Sequence, residues 1–138
     1  MQVSNAVTPT QEQFMQFLSS DFTGPVCMLN LLKFKHKAEY EDGRETDLTG
    51  AQAYNLYGQQ MKPHVISKGG LFLFSGVIAQ MMIGSAEEQW DMTAIVEYPS
   101  KEAFVEIASS KDVQGFAVHR SAGLKGQLLI ATSQTELG

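Results

Sequence analysis

Apolar and polar positions alternate with a period of two through Trp90, Met92, Ala94, Val96 and Tyr98 on one side and Asp91, Thr93, Ile95 and Glu97 on the other. Carried by aromatic and β-branched residues, that period predicts a strand over 89–98. Pro99 ends it, having no N–H to give a ladder, and Ser100 is a suitable N-cap for a helix led by Lys101 and Glu102. Phe104 is placed to pack back over the Pro99 turn as a hydrophobic staple.

The rest of the chain reads in order from the same kind of pattern. Phe14, Phe17 and Leu18 mark a first helix, expected to open with Thr8 as cap, Pro9 in its first position and Gln11 closing a capping box. Residues 25–34 predict a strand apolar on both faces, Val26, Met28, Leu32 and Phe34 against Cys27, Leu29 and Leu31. Asn30 interrupts it. A buried amide in a strand must find partners, so Asn30 either ties down a neighbouring loop or looks into a pocket. Residues 35–49 are polar, with an Asp42-Gly43 turn signal, and long for a connection; such loops often serve as lids or binding loops.

From Gly50 a helical period returns, with Ala51, Tyr54, Gly58, Met61 and Val65 on one face and Tyr57 and His64 on its flank. Pro63 is expected to kink or interrupt this helix near 60–62, and Gly69-Gly70 to close it. Residues 71–83 read as a second long strand with a bulge at Gly76, turned by 84–87 into the strand 89–98 as a hairpin. Ser110 caps a further helix over 111–123, residues 126–133 supply the last strand, and 135–138 carry no pattern.

The order is a helix followed by β-α-β-β-α-β. This is the ferredoxin-like α+β plan, an antiparallel sheet with helices on one face. Residues 1–24 are then an N-terminal helical extension and 25–134 the ferredoxin-like domain. Helices cover only one sheet face, and a bare apolar face of this size marks an interaction surface. The expected partner is a second copy of the chain, in a two-fold, self-complementary homodimer.

Composition narrows the function classes. With 138 residues, 43% hydrophobic and 18% charged, the chain is one globular domain rather than a disordered segment. A net charge of −5 lacks the basic footprint that nucleic acid requires. The basic run Lys33, Lys35, His36, Lys37 is followed at once by Glu39, Glu41, Asp42 and Glu45 and reads as a solvated loop. No apolar run approaches the ~20 residues of a membrane helix, and the first residues show no secretory pattern. Cys27, the single cysteine, permits no intrachain disulfide, which fits a reducing, cytoplasmic setting.

The segments MLNLLKFK, GAQAYNLYG, KPHVISKGG, EEQWDMTAIVEYPSKEAF and HRSAGL, in this order, resemble the dimeric α/β-barrel superfamily, and within it the family called domain of unknown function 1330. The likeness runs from Pro25 to about Ile130. It implies a ferredoxin-like protomer and a dimer closing two sheets into a barrel, and it implies no particular reaction. Relatives in the superfamily include cofactor-independent monooxygenases, muconolactone-type isomerases and haem-binding proteins, whose cleft between sheet and helices commonly holds a small molecule.

Among residues with chemistry, Arg120 stands out because it falls in the apolar stripe Val113, Phe116, Ala117, Leu124 of its helix. A guanidinium there must reach an edge or meet an acid. Either it pairs with Asp91 or Glu97, or it lines the cleft and grips an anionic group with its planar fork. His64 is the candidate acid/base group, with Tyr57 beside it to position a carbonyl or phenol. Tyr54 is expected in the core with its hydroxyl at the rim, and His119 at a surface or edge. Trp90 and Asp91 cannot face the same way from a regular strand, so Trp90 is expected in the core or cleft wall and Asp91 and Glu97 toward a dimer partner, unless a bulge reverses them.

His36, His64 and His119 show no metal-ligand spacing, and no phosphate-loop, dinucleotide or nucleophile-elbow signature occurs, so no cofactor is expected. The reading is a homodimer holding a small molecule between sheet and helices. Asn30, Tyr54, Tyr57, Trp90 and Asp91 would contact it, with His64 as acid/base and Arg120 as anion clamp. The alternatives are a non-catalytic dimeric module and a haem-binding protein using His64 or His119.

Overall fold

A computed structural model describes residues 3–136. The elements are α1 (Gln11–Ser19), β1 (Val26–Phe34), α2 (Gly50–Ser67), β2 (Leu71–Val77), β3 (Met92–Tyr98), α3 (Lys101–Ala108), α4 (Lys111–Gly123) and β4 (Leu124–Thr132). The four strands form one antiparallel sheet in the order β2-β3-β1-β4. This is the ferredoxin-like arrangement that the alternation of elements predicts, with a helix added in front.

Several boundaries differ from the sequence expectation, each for a local reason. α1 is capped by Thr10, not Thr8, because Gln13 stands where its side chain can accept from the Thr10 N–H while the Thr10 hydroxyl accepts from the Gln13 N–H. Pro63 does not interrupt α2, which runs on to Ser67 despite the donor that proline lacks. β2 stops at Val77, and its irregularity falls between Phe72 and Phe74 rather than at Gly76. β3 begins at Met92, so Trp90 and Asp91 precede the strand and escape its alternation. The unpatterned tail is described as far as Glu136; its last two residues lie outside the described residues.

The register sorts the sheet into two faces. Toward the helices point Val26, Met28, Asn30 and Leu32 of β1, paired with Tyr98, Val96, Ala94 and Met92 of β3. They pack with Met61 and Val65 of α2, Ile107 of α3 and Val113 of α4 into the main core, with Phe17, Phe72, Phe104 and Phe116 around it. A second cluster, Ala38, Tyr40, Ala53 and Ala122, fixes the 35–49 loop. Backbone bonds from Lys35 and Glu39 to Gly123 and Ala122 tie that loop to the end of α4, so it is anchored rather than a free lid.

The opposite face carries one apolar residue per strand in a row, Phe74–Ile95–Leu29–Ile130, with Leu31 and Leu128 beside them. Nothing covers it in the single chain: Phe74 is 55% and Ile130 43% exposed. The accessible surface of 9148 Å² exceeds the about 7,100 Å² expected of a compact monomer of this mass. Among the described residues no helix is long and apolar enough to cross a membrane.

Candidate functional site

Between the sheet and the helices lies an open cleft that runs out past the edge strands, where Phe74, Leu128 and Ile130 join its lining, about 1770 Å³ in all. It exists because small side chains stand on both walls, Ala51 and Gly58 on α2, Ala117 on α4 and Ala94 on β3, where larger ones would fill the layer. The α2 stripe Ala51, Tyr54, Gly58, Met61 and the α4 stripe Val113, Ala117, Arg120 face into it at helical spacing, as the sequence pattern predicts.

Arg120, Gln127 and Asn30 form one connected polar network in it. The Arg120 guanidinium donates to the Val7 carbonyl and to Gln127 Oε1. The Gln127 amide in turn donates to Asn30 Oδ1 at 2.7 Å, and Asn30 Nδ2 donates to the Met28 and Ala94 carbonyls at 3.2 and 3.3 Å. Asn30 therefore faces the cleft, the second of the two alternatives expected of it, and its amide is tied to the sheet rather than to a neighbouring loop. By fixing one end of the Gln127 amide it turns the other end's oxygen toward Arg120. Neither Asp91 nor Glu97 pairs with Arg120, and among the described residues no carboxylate lies within ion-pair distance of it. The guanidinium meets only neutral acceptors.

Tyr54 and Tyr57 line the same cleft, their rings 5.4 Å apart, with Phe34 against Tyr54 and Phe116 against Tyr57. Among the described residues neither phenol oxygen has a hydrogen-bond partner, and neither is a sealed, unsatisfied atom, so both open onto the cavity. Burial pushes both phenols above their ordinary value; Arg120 pulls back only in part. Burial raises Tyr98 in the same way. At neutral pH these groups are proton donors, not bases.

A consequence is testable by alkaline titration. A raised phenol pKa adds stability that is fully present below the unfolded value, about 10, and is lost as pH climbs from there toward the folded values. Phenolate absorbance from Tyr54, Tyr57 and Tyr98 is therefore expected to rise together with loss of near-ultraviolet circular dichroism. Full ionisation with the fold intact would contradict the buried placement.

The other expected site residues are distributed elsewhere. His64 faces a separate small hollow lined by Lys68, Ile107 and Ser110. Its Nε2 lies 3.4 Å from Ser110 Oγ, its Nδ1 3.8 Å from Asp112 and its ring edge-on to Phe116. Its flank of α2 turns past Tyr57 to the α3–α4 junction, so His64 and Tyr57 do not meet over one ligand. Trp90 is buried under Lys33, whose Nζ sits 4.5 Å from the ring centre and bonds to Glu88. It is core, not cleft wall. Asp91 lies at the mouth of the cleft rather than toward a partner, and its carboxylate accepts from the Phe34 N–H at 2.7 Å. Glu97 does face the uncovered side, where the Cys27 thiol donates to it at 3.8 Å; burial, with Glu97, pushes that thiol up. His119 is held by the Tyr40 hydroxyl at 2.7 Å from Nδ1.

Sequence reasoning missed Gln127 and Val7. Gln127 had a signal of the same kind as Asn30, a polar residue in the helix-facing register of a strand, opposite Leu32. Val7 had none, since it acts through its backbone. Among the described residues no three His, Cys, Asp or Glu side chains gather as a metal site needs.

Comparison with known proteins agrees with this architecture. Two crystal structures of RPA0582, a protein of unknown function from Rhodopseudomonas palustris, superimpose over nearly the whole chain. The methylated form gives 38% identity, TM-score 0.88 and 99% coverage of each chain. The other gives 35% identity, TM-score 0.86, and covers 96% of this chain and 99% of RPA0582. A putative antibiotic biosynthesis monooxygenase from Caulobacter crescentus CB15 shares the fold at 12% identity and TM-score 0.55, covering 83% of this chain and 93% of its own. So does a dimeric ferredoxin-like protein of unknown function from Bacteroides fragilis, at 10% identity and TM-score 0.51, covering 80% and 96%. No curated protein matches the sequence. The model of the family described as domain of unknown function 1330 matches residues 44–133, from the anchored loop through β4, and the chain belongs to that family.

Proposed function

We propose that the protein is a homodimer that binds a small anionic molecule in the cleft, with Arg120 as the anion clamp. The observation that carries this reading is a guanidinium in a cleft that, among the described residues, no carboxylate neutralises, with two protonated phenols nearby that have no hydrogen-bond partner among them. All three groups donate, so they suit a ligand rich in acceptors. Asn30 holds Gln127, and through it Arg120, in place. Asp91 guards the mouth. The dimer reading rests on the uncovered apolar face and agrees with the dimeric state named for the Bacteroides fragilis protein of like fold. A buried, unpaired Cys27 is in keeping with a cytoplasmic setting.

The likeness in fold to the Caulobacter protein supports a second reading, a cofactor-independent reaction on the bound molecule. In that case Tyr54 and Tyr57 would supply protons, because their raised pKa values keep them from acting as bases at neutral pH. His64, outside the cleft, takes no part in it. The histidines do not fit a haem there: His64 and His119 are engaged elsewhere, and only His36 stands at the cleft's edge.

The test is thermal shift against a panel of aliphatic and aromatic acids, with Arg120→Ala and His64→Ala alongside. At least one acid is expected to raise the melting temperature of the wild type and of His64→Ala. Arg120→Ala should weaken its binding about tenfold or more, the worth of a hydrogen bond to a charged group. If no acid binds, or if Arg120→Ala binds as well as wild type, the anion-clamp reading fails.

A further inference from the structure

The chain ahead of α1 crosses one side of the cleft, which Ser4, Ala6, Val7, Thr8 and Pro9 help to line. It is lightly held. Of these residues only Val7 is half-buried; the others are exposed. Among the described residues two hydrogen bonds fasten it, from the Gln127 N–H to the Ala6 carbonyl at 2.8 Å and from Arg120 to the Val7 carbonyl. Gln127 lies on β4, an edge strand, so its outward N–H has no neighbouring strand to bond and takes this segment instead. A stretch with so few buried contacts opens at low free energy.

What Arg120 holds in this state is a peptide oxygen, which carries only a partial negative charge. A carboxylate brings a full charge and two oxygens that match the guanidinium fork, where the peptide carbonyl offers the same cation one uncharged oxygen. Away from Arg120 the cleft is lined by Met28, Leu32, Phe72, Met92, Val96 and Phe104. At about 1770 Å³ it is larger than the ~300–1,000 Å³ of an ordinary small-molecule pocket. A guanidinium set in a lining that is apolar in its larger part, with Lys35, Lys62, Asp91 and Gln114 also on it, describes the ligand by complement.

We propose that residues 4–9 are a displaceable strap, whose Val7 carbonyl occupies the place on Arg120 that a ligand's carboxylate takes, and that the ligand is a monocarboxylate with an extended apolar body. This rests on the anion-clamp reading of Arg120 and adds to it an exchange. The entering carboxylate takes the guanidinium, Val7 is released, and the Ala6 bond goes with it. The Gln127 N–H is then left to solvent, although it touches no part of the ligand.

The experiment follows amide hydrogen exchange at Gln127 in the ¹⁵N-labelled full chain with octanoate, 1-octanol or acetate, alongside melting temperature. Octanoate is expected to raise the melting temperature and to speed exchange at Gln127 by about tenfold or more. Acetate and 1-octanol should do neither at the same concentration. In Arg120→Gln the Gln127 amide should exchange fast without ligand, and octanoate should change nothing. If octanoate stabilises the protein while Gln127 exchange stays the same or slows, the strap is overturned and the anion clamp stands. If acetate or 1-octanol matches octanoate in both readouts, or if only compact acids bind, the assigned ligand class is overturned. If no acid binds at all, both readings fall together.

Discussion

Gly50→Ala is expected to lower the melting temperature by about 10 °C, corresponding to roughly 3 kcal/mol for a chain of this size. A β-carbon at Gly50 would overlap the Lys35 carbonyl oxygen and lie 2.7 Å from both the Gly123 oxygen and the Lys35 nitrogen. These are backbone atoms and cannot rotate away. They also belong to the bonds Lys35 N–H to Gly123 and Gly50 N–H to Lys35, 2.8 and 3.1 Å long, which join β1, α2 and α4. Gly123 faces Gly50 across the same contact, with its own virtual β-carbon overlapping the Gly50 oxygen. Gly115→Ala is the control. It sits in α4 with nothing within 4 Å, and there the exchange should stabilise by about 0.5–1 kcal/mol through helix propensity. Equal melting of Gly50→Ala and the wild type would mean that α2 and α4 do not meet in this way.

Leu29→Glu is expected to convert a dimer into monomers at micromolar concentration, read by light scattering after gel filtration. Leu29 sits in the middle of the row Phe74–Ile95–Leu29–Ile130, one residue from each strand. A two-fold contact through this face brings in the carboxylate twice, and each unpaired charge taken out of water costs several kcal/mol. Met15→Glu, on α1 at the covered side, should leave the assembly intact, since Met15 is 58% exposed and lines no core. A wild-type protein that runs as a single chain at the same concentration would remove the homodimer reading.

Strand and helix identity was legible because each element's period matched its burial. The Ser110 cap and the helix over 111–123 appear with the bounds the sequence predicts. Arg120 was conspicuous for a physical reason that also holds in three dimensions, a charge in an apolar stripe. Its partners were not legible, because they come from a backbone carbonyl 113 positions away and from an amide on the next strand. Asp91 was misplaced by a rule that applies only within a regular strand, and β3 starts one residue later, whereas Trp90 lies in the core, one of the two places expected of it. His64 and Tyr57 were grouped by helical spacing alone. Seven residues along α2 is about 10 Å, enough to carry one into the cleft and the other past its end. Residues 35–49 looked free because their anchors, Ala38 and Tyr40, gain meaning only against Ala53 and Ala122.

The mutual bonding of Asn30 and Gln127 has a consequence for discrimination. Each amide is held by its bonds to the other, to the sheet or to Arg120, so neither is free to turn toward an incoming guest. The one net charge in that corner is positive, and among the described residues no carboxylate is paired with it. On the anion-clamp reading, an amine of the same size and shape as a bound acid is expected to meet repulsion there, so that the sign of a guest's charge would count before its shape.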